Sequence, residues 1–467
     1  MTYVHKNSAL PSNWRNPDNS GLGSKRQTNC RRRETMKTFF GKDCTYRWIW
    51  WCYVLIIALA PALCWGQASS GGPLSSDVDT LSQAIESKVI GWRRDIHQNP
   101  ELSGKEFRTT RMVIEHLQGL GLEVKPSPSG TGVVAILRGQ KAAPVVALRA
   151  DMDALPITEL TNLPFASKTE GVMHACGHDA HTSILMGAVE VLSKLKDRLP
   201  GTVKFIFQPS EEKVEGAKLM IQEGALDSPK PDAIFGLHIY SAGFAGNLLY
   251  RSGGTNPGVD RVRIVVKGKG THGGMPWFGI DPIVVASQIV LGLQTIVSRQ
   301  TNLTTTPAII TIGKIQGGVT SSIIPGEVEM EGNVQSFDPK IQKELHERIE
   351  RTAKSIAASS GATAEVAITS GCPVVYNDPK LTTRMASTLQ RVAGEGNLLP
   401  ASQVGAAEDF AFYQEKIPGM LFNLGIRPKN GPLIPVHSPN FTIDESALLL
   451  GVRAMSNLAI DFLAGEK

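Results

Sequence analysis

Residues 145–151 read VVALRAD, a short apolar run that stops abruptly on ionisable side chains. Runs of this kind fit strands buried on both faces of a parallel sheet, which deliver polar side chains to the loops at their carboxyl ends. The pattern recurs. VKFIFQPSEE (203–212) stops on Glu211 and Glu212, AIFGLH (233–238) ends at His238, and GMLFNLG (419–425) precedes a loop carrying His437. In open α/β sheets ligands bind beyond the carboxyl ends of the strands. Helical segments alternate with these runs, as in residues 182–196, where Ile184, Leu185, Ala188, Val191, Leu192 and Leu195 recur at helical spacing.

Between residues 259 and 371 the pattern changes. RVRIVVKG (261–268) alternates as a strand, 282–299 reads as a helix, AIITIGKI (308–315) and EVEMEGNVQSF (327–337) as strands, 340–359 as a helix and AEVAITS (364–370) as a strand. The order βαββαβ is that of a split βαβ, ferredoxin-like unit. The expected architecture is therefore α/β: a catalytic domain with a mostly parallel sheet, in two parts (77–258 and 372–467), interrupted by an inserted ferredoxin-like domain (259–371).

Composition sets the boundaries of function. The 467 residues are 42% hydrophobic and 19% charged, which excludes disorder as the dominant state. The net charge of +5 is concentrated at the start: residues 1–68 hold 10 Lys and Arg against 3 Asp and Glu, leaving 38 against 40 in the remainder. A body without a clustered basic run argues against nucleic acid as a partner. Four of six cysteines (Cys30, Cys44, Cys52, Cys64) also lie near the start, and Cys176 and Cys372 alone make no disulfide framework. Residues 1–35 read as disordered or as an overlong start ahead of Met36. In residues 36–68, Lys37, Lys42 and Arg47 precede an apolar run at 48–65, and Gly66 and Ala68 follow at cleavage spacing, the pattern of a secretory signal peptide. The expectation is a secreted or periplasmic protein with no membrane contact after cleavage. The alternative is an uncleaved anchor formed by residues 48–65, against which Pro61 counts. Residues 67–76 read as a linker.

The densest chemistry lies in HACGHDAH (174–181), with three His, one Cys and one Asp in eight positions. Imidazole and thiolate suit zinc and its neighbours, and carboxylates suit harder ions, so the mixed set points to a metal without choosing one. Two other readings stand beside it: a structural loop of satisfied histidines, and a nucleophilic Cys176 with His178 as its base. The pair Glu211-Glu212 offers one carboxylate to a metal and its neighbour as a base toward water. His238 and His437 gain weight from their positions after strands. His272, in GKGTHGGMP, reads by itself as a turn residue, and His97, His116 and His346, in charged helical surroundings, as surface residues.

RADMDALPITE (149–159), HACGHDAHT (174–182), FQPSEE (207–212), GLH (236–238), THGGMPWFGIDPI (271–283), AEDFAFY (407–413) and HSPNF (437–441) together resemble the di-metal aminoacylase and carboxypeptidase family. The similarity is to its branch of hippurate hydrolases, N-acyl-amino-acid amidohydrolases and plant auxin-conjugate hydrolases, with motifs in family order over residues 80–465. The resemblance implies two divalent ions per subunit (manganese, zinc, cobalt or nickel), with ligands at Cys176, His178, Glu212, His238 and His437 and Cys176 bridging. It implies Glu211 as general acid/base, Asp151 as a carboxylate behind the ligands, and Arg149 where other branches carry a metal-binding His. His272 matches a His of the inserted domain, a lid and dimerisation domain in relatives, that reaches the partner subunit's active site in a homodimer. The implied reaction is hydrolysis of the amide bond of a small N-acyl amino acid.

Three positions depart from the family's pattern. Ser322 stands where relatives have Asn, Gly326 where they have Asp, and Gln335 where an Arg helps hold the substrate's carboxylate. Losing a guanidinium removes a bidentate clamp, so Ser322, Gln335 and Glu408 are the candidate substrate contacts, with Arg261 or Arg299 as substitute cations. Two alternatives follow: a catalytically weakened binding protein that keeps the metal site, and a metal-independent Cys hydrolase.

Overall fold

A computed structural model describes residues 74–465, so the expected disordered start, the signal peptide and residues 67–73 of the expected linker lie outside the described residues, while the linker's last two residues, Ser75 and Ser76, belong to the first helix. The chain opens with helices α1 (Ser75–Gln98) and α2 (Phe107–Gly119), then strands β1 (Glu123–Pro126), β2 (Val133–Arg138) and β3 (Val145–Asp151). Next come α3 (His178–Lys194), β4 (Thr202–Gln208), α4 (Gly216–Gln222), β5 (Ala233–Phe244), β6 (Leu248–Tyr250) and β7 (Gly253–Asn256). Residues 258–372 contribute β8 (Gly258–Lys267), β9 (Thr271–His272), α5 (Pro282–Thr295), β10 (Ala308–Gly317), β11 (Ile323–Ile324), β12 (Glu327–Ser336), α6 (Pro339–Ser359) and β13 (Thr363–Cys372). The last part holds β14 (Val375–Asn377), α7 (Pro379–Ala393), β15 (Leu398–Pro400), α8 (Ala411–Gln414), β16 (Gly419–Arg427) and α9 (Leu448–Leu463).

The four apolar runs become the middle of one sheet. Its order is β1-β2-β4-β3-β5-β16-β6-β15, and β4, β3, β5 and β16 are mutually parallel. Burial on both faces explains their composition: Phe205, Phe207, Phe235 and Phe422 are fully buried, each worth roughly 1.5–3 kcal/mol of transfer free energy. Helices α1, α3 and α9 cover one face around Val89, Ile184, Leu185, Val452 and Met455. α9 is mostly apolar because it is largely enclosed, with 72% of its most apolar window buried, and its charged residues Arg453 and Asp461 pair with Asp79 and Arg391.

Residues 258–372 form a separate four-stranded antiparallel sheet, β10-β12-β8-β13, with α5 and α6 on one side and their own core around Ile264, Ile289, Met330 and Ile349. Apart from the two-residue strands β9 and β11, which pair with each other, the element order is the βαββαβ read from the sequence. Helix starts are local: Asp281, Asp338 and Asp378 each cap a helix whose first residue is proline, the carboxylate accepting from backbone N–H groups. Such a cap contributes about 1 kcal/mol, and proline's fixed φ suits the first helical position.

Two boundaries differ from expectation. α3 starts at His178 rather than near residue 182, because Gly177 takes a left-handed turn (φ 83°) into the helix. A Cβ at Gly177 would lie 2.7 Å from Ile239 Cγ1, so the close approach requires glycine. β5 does not stop at His238 but continues to Phe244, since β16 pairs with it beyond that point, with Asn423 opposite His238.

Candidate metal centre

Five elements converge beyond the parallel strands. β3 ends on Asp151 and leads into Asp153, the turn after β4 presents Glu211 and Glu212, α3 starts with His178, β5 contributes His238, and the loop after β16 brings His437. His437 has a positive φ of 62°, and its N–H donates to the Ala175 carbonyl at 2.8 Å, which fastens the loop beside Cys176. Ligating atoms of Cys176, His178 and His238 lie within 4.8 Å of one another, as do those of Cys176, Glu212 and His437, and those of His178, Glu211 and Glu212. Cys176 Sγ is 3.6 Å from His238 Nε2, and Glu212 Oε1 is 3.5 Å from His437 Nε2 and 3.8 Å from His178 Nε2. All five expected ligands and Glu211 therefore share one site, with Cys176 common to two of the three-residue groups.

The hydrogen bonds distinguish the histidines of HACGHDAH. His181 Nδ1 donates to Asp151 Oδ1 at 2.5 Å while its Nε2 accepts from the Ile239 N–H at 2.9 Å, so it has no lone pair to spare. His174 is buried with neither ring nitrogen partnered and belongs to none of the ligand groups. His178 alone sets Nδ1 against a carboxylate, Asp153 Oδ1 at 3.2 Å, and leaves Nε2 without a partner, facing Glu211 and Glu212. Glu212 Oε1 is also buried and unpartnered. Buried polar atoms left unpaired are costly. A cation among a thiol, imidazoles and a carboxylate would satisfy both, and a carboxylate behind the ligand His is the usual companion of such a site. The residues fit a divalent metal.

Electrostatics separates the two glutamates. Burial raises the Glu211 carboxyl well above its ordinary range, and the charges of Glu408 and Asp409 push the same way. For Glu212, burial also favours the neutral form, but the nearby imidazoles of His437 and His178 outweigh it and hold the carboxyl low. Burial likewise raises the Cys176 thiol. A buried neutral thiol is a poor nucleophile, and a bound cation is what would hold it as thiolate.

Behind Glu211 lies Arg149, buried, with Nη1 donating to Asp151 Oδ2 (2.6 Å), Nη2 to Asp409 Oδ1 (2.8 Å) and Nε to Gln208 Oε1 (2.9 Å). It places a fixed positive charge among the buried carboxylates behind the cluster. Glu408, a candidate substrate contact, is buried: Oε1 lies 3.1 Å from Arg149 Nη2 and accepts from the Phe410 N–H at 2.9 Å. The remaining candidates lie in the inserted domain. His272 in β9 is exposed and accepts from the Gly274 N–H at 3.0 Å, and the Ser322 carbonyl takes the Gly273 N–H at 2.7 Å, so these two are neighbours. Gln335 sits within β12, opposite Ile309 and Val259. Among the described residues, none of these three bonds to the metal cluster, and Arg261 and Arg299 have no carboxylate partner.

Some functional neighbours escaped the sequence. His97 reads as a surface residue, yet it is fully buried. α1 packs on α3, and the inner face of α1 carries a polar network: His97 Nδ1 lies 2.8 Å from Asp179 Oδ2, and Arg93 Nε 2.7 Å from the same oxygen. His116 is half-buried, and His346 is bound to Asp260 at 2.6 Å. Asp153 carries no local signal beyond the doubled acid of RADMD. Cys372 is buried, its thiol donating to the Glu408 carbonyl at 3.3 Å.

A doubly wound sheet with this cluster at its carboxyl edge and a ferredoxin-like insert defines a metal-dependent hydrolase. The chain belongs to Peptidase family M20/M25/M40, whose profile matches residues 147–461. It is 40% identical over 379 residues to an N-acetylcysteine deacetylase of Bacillus subtilis, covering 81% of this chain and 97% of that one. It is 36% identical over 380 residues to IAA-amino acid hydrolase ILR1-like 5 of Arabidopsis thaliana, covering 80% and 86%. The crystal structure of a dinuclear metal-binding peptidase of the M20 family from Bacillus subtilis superimposes with a TM-score of 0.71 at 38% identity, covering 82% of this chain and 99% of that one. The protein is thus an enzyme of the amidohydrolase branch, acting on amide bonds.

Proposed function

We propose that the protein hydrolyses the amide bond of N-acyl amino acids or related conjugates. The observation that carries this reading is the convergence of Cys176, His178, Glu212, His238 and His437 on one site with Glu211 beside them. Environments that push two carboxyls apart assign them different roles. Glu212, held ionised between His178 and His437, is a ligand together with Cys176, His178, His238 and His437; Glu211, held basic by burial, is the proton carrier. Two divalent cations bound there would supply Lewis acidity toward the scissile carbonyl and acidify a water.

The side chains perform the remainder. Glu211 takes the proton of the attacking water and returns it to the leaving nitrogen, so that the products are a carboxylic acid and an amino acid. Arg149 holds Asp151, Glu408 and Asp409 in place behind it. His272 stabilises the developing oxyanion from the partner subunit of a homodimer, a role worth about 3–4 kcal/mol in other enzymes. An exposed apolar border on the inserted domain supports the dimer: Ile309 and Ile315 on the edge strand β10, and Val284 and Leu291 on α5. Export through the signal pattern at residues 36–68 is part of the proposal.

The test is release of free amino acid from N-benzoylglycine, N-acetylmethionine and their carboxamide counterparts by metal-reconstituted protein, with and without chelator. Chelator-sensitive cleavage is expected. With Gln335 in place of an arginine clamp, the carboxamides should lose less than tenfold against the free acids. Stoichiometric metal without turnover across the panel would instead favour a binding protein.

A further inference from the structure

The turn that carries Glu211 and Glu212 is held in a costly conformation. Ser210 and Val214, neither of them glycine, take φ of 56° and 57° on either side of a single 3-10 turn. Left-handed residues of this type persist only where the surroundings over-determine them. Here the N–H groups of three successive residues are claimed by two carboxylates from elsewhere in the chain. Ser210 donates to Glu106 Oε1 (2.9 Å), Glu211 to Asp153 Oδ1 (3.1 Å) and Glu212 to Asp153 Oδ2 (3.0 Å). Both acids are buried.

Each carboxylate also grips a second element. Asp153 Oδ2 accepts from Ser103 Oγ (2.7 Å), and Asp153 Oδ1 faces His178 Nδ1 (3.2 Å). Glu106 Oε1 accepts from the Gly104 N–H (3.0 Å). The loop 103–106, the imidazole at the start of α3 and the glutamate turn are therefore joined through two side chains. We infer that Glu106 and Asp153 are positioning residues, a two-carboxylate clasp that fixes the His178 ring and the Glu211-Glu212 turn as one rigid unit. This rests on the reading of His178 and Glu212 as metal ligands.

The clasp makes a sharp chemical demand on Asp153, because each oxygen receives two donors. An asparagine must turn its NH2 toward one of those pairs. Facing Oδ2's partners, it opposes the Glu212 N–H. Facing Oδ1's partners, it opposes the Glu211 N–H and drives the His178 proton from Nδ1 to Nε2, the nitrogen that faces the glutamates. Either orientation injures the site with no change of volume. Glu106 is less demanding: an amide oxygen can accept from both Ser210 and Gly104, so glutamine preserves the grip and alanine removes it.

The experiment titrates wild-type, Asp153→Asn, Glu106→Ala and Glu106→Gln apoproteins with Mn²⁺ and Zn²⁺ against a competing chelator, with melting curves of the apoproteins and kcat and KM of the loaded enzymes. Asp153→Asn should bind metal about 10- to 100-fold more weakly and lose kcat more than KM, while the apoprotein melts near the wild type. Glu106→Ala should lose about tenfold in metal affinity and Glu106→Gln should restore most of it. Wild-type metal affinity in Asp153→Asn, or equal losses in Glu106→Ala and Glu106→Gln, overturns the clasp. A wild-type protein that binds neither metal overturns the functional reading itself.

Discussion

Glu211 and Glu212 show how far surroundings decide chemistry: identical side chains on adjacent residues are driven to opposite proton affinities, Glu211 upward by its burial together with Glu408 and Asp409, and Glu212 downward by His437 and His178. Glu211→Gln should therefore keep both metals and lose roughly 10²- to 10⁴-fold in kcat, read by metal analysis beside initial rates; full activity removes Glu211 from the mechanism. His174 offers a stability counterpart. Burial pushes it down to about 4, so the unfolded chain takes up a proton below about 6.5 while the folded chain does not. Stability is thus full above pH 6.5 and falls as the pH drops toward 4. Between pH 8 and 5 the loss attributable to this ring is about 2 kcal/mol, and urea denaturation of the apoprotein should show His174→Leu lacking that part of the slope. The ligand candidates were legible because unusual donor types crowd into short motifs. His97 and Asp153 were not, since an inward polar residue on a charged helix looks like an outward one and a hydrogen-bonding acid looks like any other.

At the level of elements, α3 carries the site and its placement depends on how closely helices approach it. A Cβ at Gly451 of α9 would lie 2.7 Å from Ile184 Cδ1, and one at Gly187 of α3 would lie 2.8 Å from Val452 Cγ2. Gly451→Val should overpack this contact at about 1–3 kcal/mol, visible as a lowered denaturation midpoint with unchanged m-value, and should weaken metal binding by displacing His178; an unchanged midpoint would show that α9 has room to shift. The strands of the parallel core and the βαββαβ insert were readable because burial on two faces, or on one, imposes a run or an alternation. Their ends were less so: β5 is prolonged past His238 by its pairing with β16, a tertiary interaction with no local signal. The short strands β6 and β15 exist only through pairing as well.

For the whole molecule, a site with its oxyanion donor in the partner subunit should show complementation. Mixed after dissociation and reassociation, Glu211→Gln and His272→Ala, each inactive alone, should recover about a quarter of wild-type activity, since half of randomly paired dimers hold one intact site; no recovery despite subunit exchange would place His272 outside the partner's reaction. The proposed function requires the thiol, imidazole and carboxylate cluster to be a hydrolytic metal centre. The direct measurement is metal content and N-acyl amino acid hydrolysis on one preparation, before chelation, after it and after adding back Mn²⁺ or Zn²⁺. Two ions per chain are expected, with amide hydrolysis that disappears with the metal and returns with it. Turnover that survives complete metal removal and is abolished by thiol alkylation would contradict the proposed function and make Cys176 the nucleophile.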